Sequence, residues 1–387
     1  MTSRDSSPHA AHWTLDPAVD FLNHGSYGAC PRIVLETQAE LRQRLEAQPV
    51  RFFQRDAPRL LDRARQELAA FVGADASELA FVQNATSGVN TVLRSLTFAP
   101  DDELLVTDHA YNACRNAIDF VATSCGARLV VVQVPFPLTS SAQVVDAVLA
   151  ARTPRTKLAL LDHVTSPTGL VFPLEQLVPA LQAHGVRVLV DGAHVPGMLP
   201  LDLHALGADY YTGNCHKWLC TPKSAAFLYA PHRRQAEIRP LVISHGANAP
   251  CDERSRFWLE FDWTGTADPT PQLCIPAALE FLRGLPGGLD AHYAENRALA
   301  LAARSVLCDA LGIAAPAPDA MIGTLVALPL PDGSALELHD ALIDQAAIEV
   351  PIMPWPAPPQ RLVRISAQRY NHLAQYSRLA DALRARV

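Results

Sequence analysis

Four short segments carry residue types that can do chemistry together. In the first, Gln83-Asn84-Ala85-Thr86-Ser87-Gly88, an apolar run gives way to what reads as a helix with Thr86, Ser87 and Gly88 in its first turn. Free amides and the dipole at such a terminus attract an anion, and the hydroxyls add donors; an ordinary helix cap accounts for the same residues. The second, Arg187 to His194, is an apolar strand that ends in Asp191. A carboxylate there can pair with a protonated ring nitrogen and turn the ring into an electron sink, or it can cap the next turn. In the third, Tyr210 to Trp218, Lys217 stands between His216 and Trp218, 26 positions after Asp191. An amine in that apolar setting is partly desolvated, which lowers its pKa and frees it to attack an aldehyde; the competing account is a surface lysine. In the fourth, Arg361 to Asn371, Arg364 points away from Val363 and Ile365 if the run is a strand. Its guanidinium suits a carboxylate held by two parallel hydrogen bonds, or a structural ion pair.

The order of these segments, an anion turn, then an acid, a lysine and an arginine, is more specific than any one of them. The elements that must position them alternate β-rich runs with amphipathic stretches. The strand candidates are Leu79 to Gln83, Glu103 to Thr107, Leu129 to Val134, Lys157 to Leu161, Arg187 to Asp191, Asp209 to Thr212 and Ala225 to Tyr229. Helical candidates lie between most of them: Ser87 to Leu96, Asn112 to Ser124, Ser141 to Ala150 and Leu174 to His184. This alternation predicts an α/β domain with a parallel sheet covered by helices, and ligands beyond the carboxyl ends of its strands. It spans roughly Gln48 to Arg239. After about Pro240 a Gly/Asn/Pro-rich passage, Ser244 to Cys251, leads to the aromatic segment Phe257 to Trp263 and a tail that reads as a second lobe. The tail is expected to hold helices around Pro271 to Arg283 and His292 to Ala310, strands near Gly323 to Leu328 and Arg361 to Ser366, and a last helix from about Asn371. The proline-rich Pro351 to Pro359 is expected to be an ordered loop over a cleft.

Bulk properties narrow the partners. Hydrophobic residues make up 49% and charged residues 18% of the 387, which is the balance of a soluble globular chain. No run approaches the ~20 apolar residues a membrane span needs, and MTSRDSSPHAAHW lacks a signal peptide's apolar stretch. The cytoplasm is the expected location. The net charge of −7 comes without basic clusters, which argues against nucleic acid and for a small-molecule partner. The eight cysteines form no C-x-x-C pair and read as reduced thiols, and the fourteen histidines show no metal-ligand spacing, so no metal is expected.

With these residues in place the chain resembles the class V aminotransferase-like branch of fold-type-I pyridoxal-phosphate enzymes, and within it the isopenicillin N epimerase-like group. The matching segments are Phe21 to Gly28, Asn84 to Thr86, Asp108 to Asn112, Val164 to Gly169, Asp191 to His194, His216 to Trp218, Trp263 to Thr266 and Arg364 to Asn371, which span nearly the whole chain. The resemblance implies fold type I: a large domain with a mixed, mostly parallel seven-stranded sheet, and a smaller α+β C-terminal domain. Residues 1–47 would form an N-terminal arm and helix at the active-site mouth, 48–250 the cofactor-binding domain, and 251–387 an interface segment with the small domain.

The resemblance also implies roles. Lys217 would carry pyridoxal 5′-phosphate as a Schiff base, Asp191 would pair with its ring nitrogen, and His194 would support the ring or its oxygen. Asn84, Ala85, Thr86, Ser87, Asn214 and His216 would hold the phosphate, with Gly265 and Thr266 reaching it from a second subunit, which implies a homodimer with shared sites. Tyr111 or His109 would stack on the ring, with Tyr111 preferred, and Thr165 belongs to the cofactor site. Arg364 would bind the substrate carboxylate. His24, Tyr27 and Arg55, with Arg51, Phe52 and Phe53, belong to segments that shape the side-chain pocket, core or dimer contacts. The reaction implied is chemistry at the α-carbon of an amino acid: epimerisation first, C–S lysis of a sulfur-bearing amino acid as in hercynylcysteine sulfoxide lyases second, transamination third. Epimerisation needs a second proton donor across the ring from Lys217, for which His109, His24 and Tyr27 are candidates. Cysteine desulfurases place a mobile cysteine shortly before the carboxylate-binding arginine, and here no cysteine follows Cys308, which disfavours that chemistry. A catalytically silent binding protein is opposed by the intact Lys217, Asp191 and Arg364.

Overall fold

A computed structural model describes residues 7–386, so the first six residues of the expected N-terminal arm lie outside the described ones. The helix of that arm is Arg32–Ala47 (α1). A second helix, Ala57–Val72 (α2), follows where only the start of the large domain was expected. Its signal is present in the sequence: Leu61, Ala64, Leu68 and Val72 recur at helical spacing and are all buried. Gly73, in a left-handed conformation, ends it.

Seven strands then build the central sheet: Leu79–Val82 (β1), Glu103–Thr107 (β2), Arg128–Val132 (β3), Thr156–Asp162 (β4), Arg187–Asp191 (β5), Tyr210–Asn214 (β6) and Ala226–Tyr229 (β7). Their order across the sheet is β1-β7-β6-β5-β4-β2-β3. β7 runs antiparallel to both β1 and β6, and all other pairs are parallel. This is the mixed, mostly parallel seven-stranded sheet of fold type I. The strands are covered on both faces, which is why they read as continuous apolar runs. In β4, Ala159 and Leu161 enter one core while Leu158 and Leu160 enter another on the opposite face. Each leucine so buried contributes roughly 1.5–3 kcal/mol.

Helices Ala85–Ser95 (α3) and Asn112–Cys125 (α4) follow β1 and β2. Asn84 caps α3 by accepting the Ser87 N–H at 2.8 Å. Gly88 lets α3 lie on the sheet, because a Cβ there would meet Thr212 Oγ1 at 2.2 Å. The aromatic segment is itself a helix, Arg256–Asp262, with Phe257 and Phe261 one turn apart and both buried.

In the tail, Gly288–Leu311 is a long helix, and Leu325–Leu330 (β8), Ile352–Pro354 (β9) and Arg361–Ser366 (β10) form an antiparallel sheet in the order β9-β10-β8. The proline-rich stretch is therefore partly strand: prolines are tolerated on an edge, and β9 is that edge. Trp355 continues from it to pack on His109 and Phe136. The helix Ala335–Ala346 was not anticipated, although Ser334 with Glu337 three positions on is a capping signature, and the Ser334 hydroxyl accepts the Glu337 N–H. Leu373–Arg384 is the last helix. No helix among the described residues is long and apolar enough to cross a membrane.

Candidate active site

The turn that carries Lys217 joins two antiparallel strands and is pinned from three sides. The Cys215 and His216 N–H groups both donate to the Ala225 carbonyl, and the Cys220 N–H donates to the Lys217 carbonyl. The same carbonyl accepts the His24 Nε2–H at 3.0 Å. A carbonyl can only accept, so Nδ1 of this ring is the acceptor for the Tyr370 hydroxyl at 2.8 Å. The His24 ring is fully buried, and burial pushes its pKa down to about 3. The segment around it presses close: a Cβ on Gly28, whose φ is +70, would sit 2.1 Å from the His216 carbonyl oxygen.

Held this way, the half-buried Lys217 amine has His194 Nε2, 3.4 Å away, as its hydrogen-bond partner. Burial and then the Arg364 charge lower its pKa to about 7, against a smaller opposing pull from Asp191. His194 is buried and kept uncharged by burial and by Lys217; its Nδ1 accepts from Trp218 Nε1 at 3.5 Å. Asp191 ends β5 with both oxygens engaged, Oδ1 by the Ala193 N–H and Oδ2 by the Cys114 S–H, each at 3.0 Å.

Arg364 reaches the same cleft from β10. Its Nη1 donates to the Ser166 carbonyl at 2.6 Å and to the Ser166 hydroxyl at 3.2 Å, and Nη2 donates to the Ser26 hydroxyl at 3.2 Å. Its Nε is buried and has no partner. Burial lowers its pKa to about 10, and Tyr111 acts in the other direction. Burial, and to a smaller extent its neighbours Cys114 and Tyr27, push the Tyr111 pKa up, and Tyr111 and Tyr27 both remain exposed, at 46% and 75%.

The anion turn is built by two asparagines. While Asn84 holds the Ser87 N–H, Asn214 Oδ1 accepts the Ala85 N–H at 2.8 Å, which couples α3 to the end of β6. Thr86 and Ser87 occupy the first turn. His216 donates its Nδ1–H to the Ala225 carbonyl at 3.1 Å and is held neutral, chiefly by burial, with a pKa of about 4.

Other expected site residues sit elsewhere. His109 is fully buried: Nδ1 bonds to Thr168 Oγ1 at 2.6 Å and Nε2 to the Val134 carbonyl at 3.0 Å, while its ring packs among Phe136, Phe172 and Trp355. That placement leaves Tyr111, not His109, at the open side of the cleft. Thr165 spends its hydroxyl on Thr168 and on the Leu170 N–H in a buried turn. Gly265 and Thr266 are exposed and line a groove of about 920 Å³ shared with Phe53, Val242, Trp263 and, from α3, Ser87 and Thr91. Arg55 is exposed on the short π-helix Phe52–Asp56, which also carries the groove's Phe53. Cys114, Ser26 and Ser166 were not singled out by sequence reasoning. Ser26 and Ser166 lie inside matched segments and Cys114 stands two positions after one, so their positions were visible even though their contacts were not.

These residues fit pyridoxal 5′-phosphate. A buried carboxylate, an amine of lowered pKa and a guanidinium with an unpartnered Nε share one cleft, yet none is ion-paired to another among the described residues. Such a set calls for a ligand that brings an electrophile, a basic ring nitrogen and an anion. Lys217, Asp191, Tyr111 and the α3 turn would hold it.

Comparison with known proteins agrees. The isopenicillin N epimerase of Amycolatopsis lactamdurans is 37% identical over 386 residues, 96% of each chain. A probable chloroplastic L-cysteine desulfhydrase of Arabidopsis thaliana is 30% identical, over 96% of this chain and 84% of that one. A solved structure of the C-DES protein, with glycine covalently linked to its PLP cofactor, superposes with a TM-score of 0.80 at 22% identity, over 95% of this chain and 96% of that one. The family model for aminotransferase class-V matches residues 22–372. The chain therefore belongs to the aminotransferase class-V family and is a pyridoxal-phosphate enzyme.

Proposed function

We propose that this chain is an epimerase of an amino acid, with Lys217 serving one face of the α-carbon and Tyr27 the other. The observation that supports it is a process of subtraction among the three candidate second donors. His24 and His109 are committed at both ring nitrogens to buried partners. Tyr27 is 75% exposed, and its neighbour Ser26 bonds the Arg364 guanidinium. Bound pyridoxal phosphate supplies a protonated ring that takes up the electron pair of a broken Cα–H bond. Arg364 holds the substrate carboxylate, which fixes which bond stands toward Lys217. Its amine, uncharged for much of the time near neutral pH, removes the α-proton, and the Tyr27 hydroxyl returns one from the opposite side.

Tyr27→Phe tests this directly. Inversion is expected to fall about 100-fold, the usual scale for a lost proton donor. In deuterated water, exchange of the α-hydrogen with retention is expected to continue, because Lys217 is intact. Inversion unchanged in Tyr27→Phe removes Tyr27 from the role. A C–S lyase of a sulfur-bearing amino acid is the second reading, favoured by the desulfhydrase relatives. It needs Lys217 but no second donor, so pyruvate and a released sulfur product without inversion select it. A panel of amino acids, read by the spectral change of the bound cofactor, supplies the substrate for either assay.

The groove beside α3 supports the homodimer with shared sites. Its rim carries Val50, Leu241 and Val242, exposed at 67%, 45% and 55%, with Ile243 beside them at 61%, and Gly265 and Thr266 stand in its wall. Such a contiguous apolar patch needs a cover, and a second copy laid there brings one chain's Thr266 toward the other's α3 turn. Val242→Asp is therefore expected to shift the protein from dimer to monomer in sedimentation and to weaken cofactor retention at least tenfold. A dimer that survives this substitution unchanged points to another face. The eight cysteines are all free, as suits the reducing cytoplasm in which we place the enzyme.

A further inference from the structure

The carboxylate at the end of β5 is not alone. Asp162 ends β4 in direct register with Asp191, and paired residues of parallel neighbours present their side chains on the same face. Both residues are only 3% exposed. The first turn of α4 faces them. Tyr111 is its N-cap, and Cys114, three positions on, donates its S–H to Asp191 Oδ2. No cation is within ion-pair distance of either acid among the described residues. The titratable groups that bear on Asp162 are Asp191 and Cys114, whereas Lys217 acts on Asp191.

We propose that Asp162 is a positioning residue that keeps its proton, so that the one negative charge at these strand ends rests on Asp191. Two adjacent carboxyls shielded from water cannot both ionise, so the pair retains a proton at neutral pH. Its location follows from the donors. Burial raises the pKa of Asp191 too, but against it Asp191 receives a thiol, a backbone N–H and the field of Lys217, all of which favour its charged form. Asp162 has no such thiol or cation beside it among the described residues, and burial followed by the Asp191 charge raises its pKa well above the usual carboxylate range. The Cys114 thiol, also pushed well up by burial and Asp191, stays a donor. A neutral acid next to Asp191 would spare the ring nitrogen's partner a competing charge.

The inference rests on the reading of Asp191 as the ring-nitrogen partner, and it is tested by infrared difference spectroscopy on the full chain loaded with pyridoxal phosphate. Wild type minus Asp162→Asn is expected to show, at pH 7 to 8, the carbonyl band of a neutral, water-shielded carboxylic acid. Asp191→Asn is expected to keep that band, because burial, the larger influence on Asp162, is untouched. A band that survives Asp162→Asn, disappears in Asp191→Asn, or is absent from the wild type overturns the proposal. Asparagine matches the neutral acid in shape, so Asp162→Asn should also keep the wild-type visible spectrum; a shifted maximum counts against it. Borohydride trapping at Lys217 in the same samples reports separately on the cofactor assignment.

Discussion

Lys217→Ala is expected to give a protein that folds, loses its cofactor colour on washing and is slowed at least about 10⁴-fold. The size of the loss follows from the removal of two functions at once, covalent attachment and the proton-transferring base. Folding should survive, because the interactions that shape the turn are made by backbone atoms: the Lys217 carbonyl still accepts from His24 and from the Cys220 N–H. Borohydride treatment of wild type should fix the cofactor to the peptide containing Lys217, and the variant should show no such adduct by mass spectrometry. The pH dependence follows from the same amine. Its pKa is lowered to about 7, and only the uncharged form attacks an aldehyde. Attachment of added cofactor should thus be fast above pH 7 and slow roughly tenfold per pH unit below it. Attachment at an undiminished rate at pH 5, or an adduct on another lysine, would remove Lys217 from the centre of the site.

Much of this frame was legible in the sequence because the physics that sets it is local. β5 could be read to the residue, since three consecutive apolar positions ending in an acid describe a strand buried on both faces whose last side chain emerges at the ligand edge. Helix ends were off by a residue or two where a side chain, not a pattern, decides them: α3 begins at Ala85 because Asn84 turns back to cap it. Histidine roles were far less legible. His24 and His109 carry the same chemical potential as His194 on paper. Only the fold shows that the first two bridge fixed backbone carbonyls and hydroxyls inside the protein, whereas the third stands beside the lysine. The acid pair was hidden for a related reason. Asp162 and Asp191 are 29 residues apart in sequence, and nothing but strand register makes them neighbours.

Arg364→Ala is expected to lower kcat/KM about 10² to 10³-fold, mainly through KM, while the visible spectrum of the bound cofactor stays as it is. The guanidinium is oriented in a way that leaves one edge for a ligand. Nη1 is turned toward Ser166 and Nη2 makes one bond, to Ser26, so the buried Nε–H has no partner in the protein and Nη2 has a second hydrogen to offer beside it. That edge matches the two oxygens of a carboxylate, and two charge-assisted bonds in a water-poor cleft are worth about 3 to 5 kcal/mol together, less the cost of desolvating both ions. The net is the loss predicted. Arg364→Lys should recover only part of it, because an ammonium cannot present two parallel donors while keeping the Ser166 and Ser26 contacts. An amine that lacks the carboxylate provides the control: it should bind wild type and Arg364→Ala with equal affinity, since it never used the side chain. Equal losses for the amine and the amino acid would mean that Arg364 props up the cleft, through β10 and the Ser26 turn, without touching the substrate.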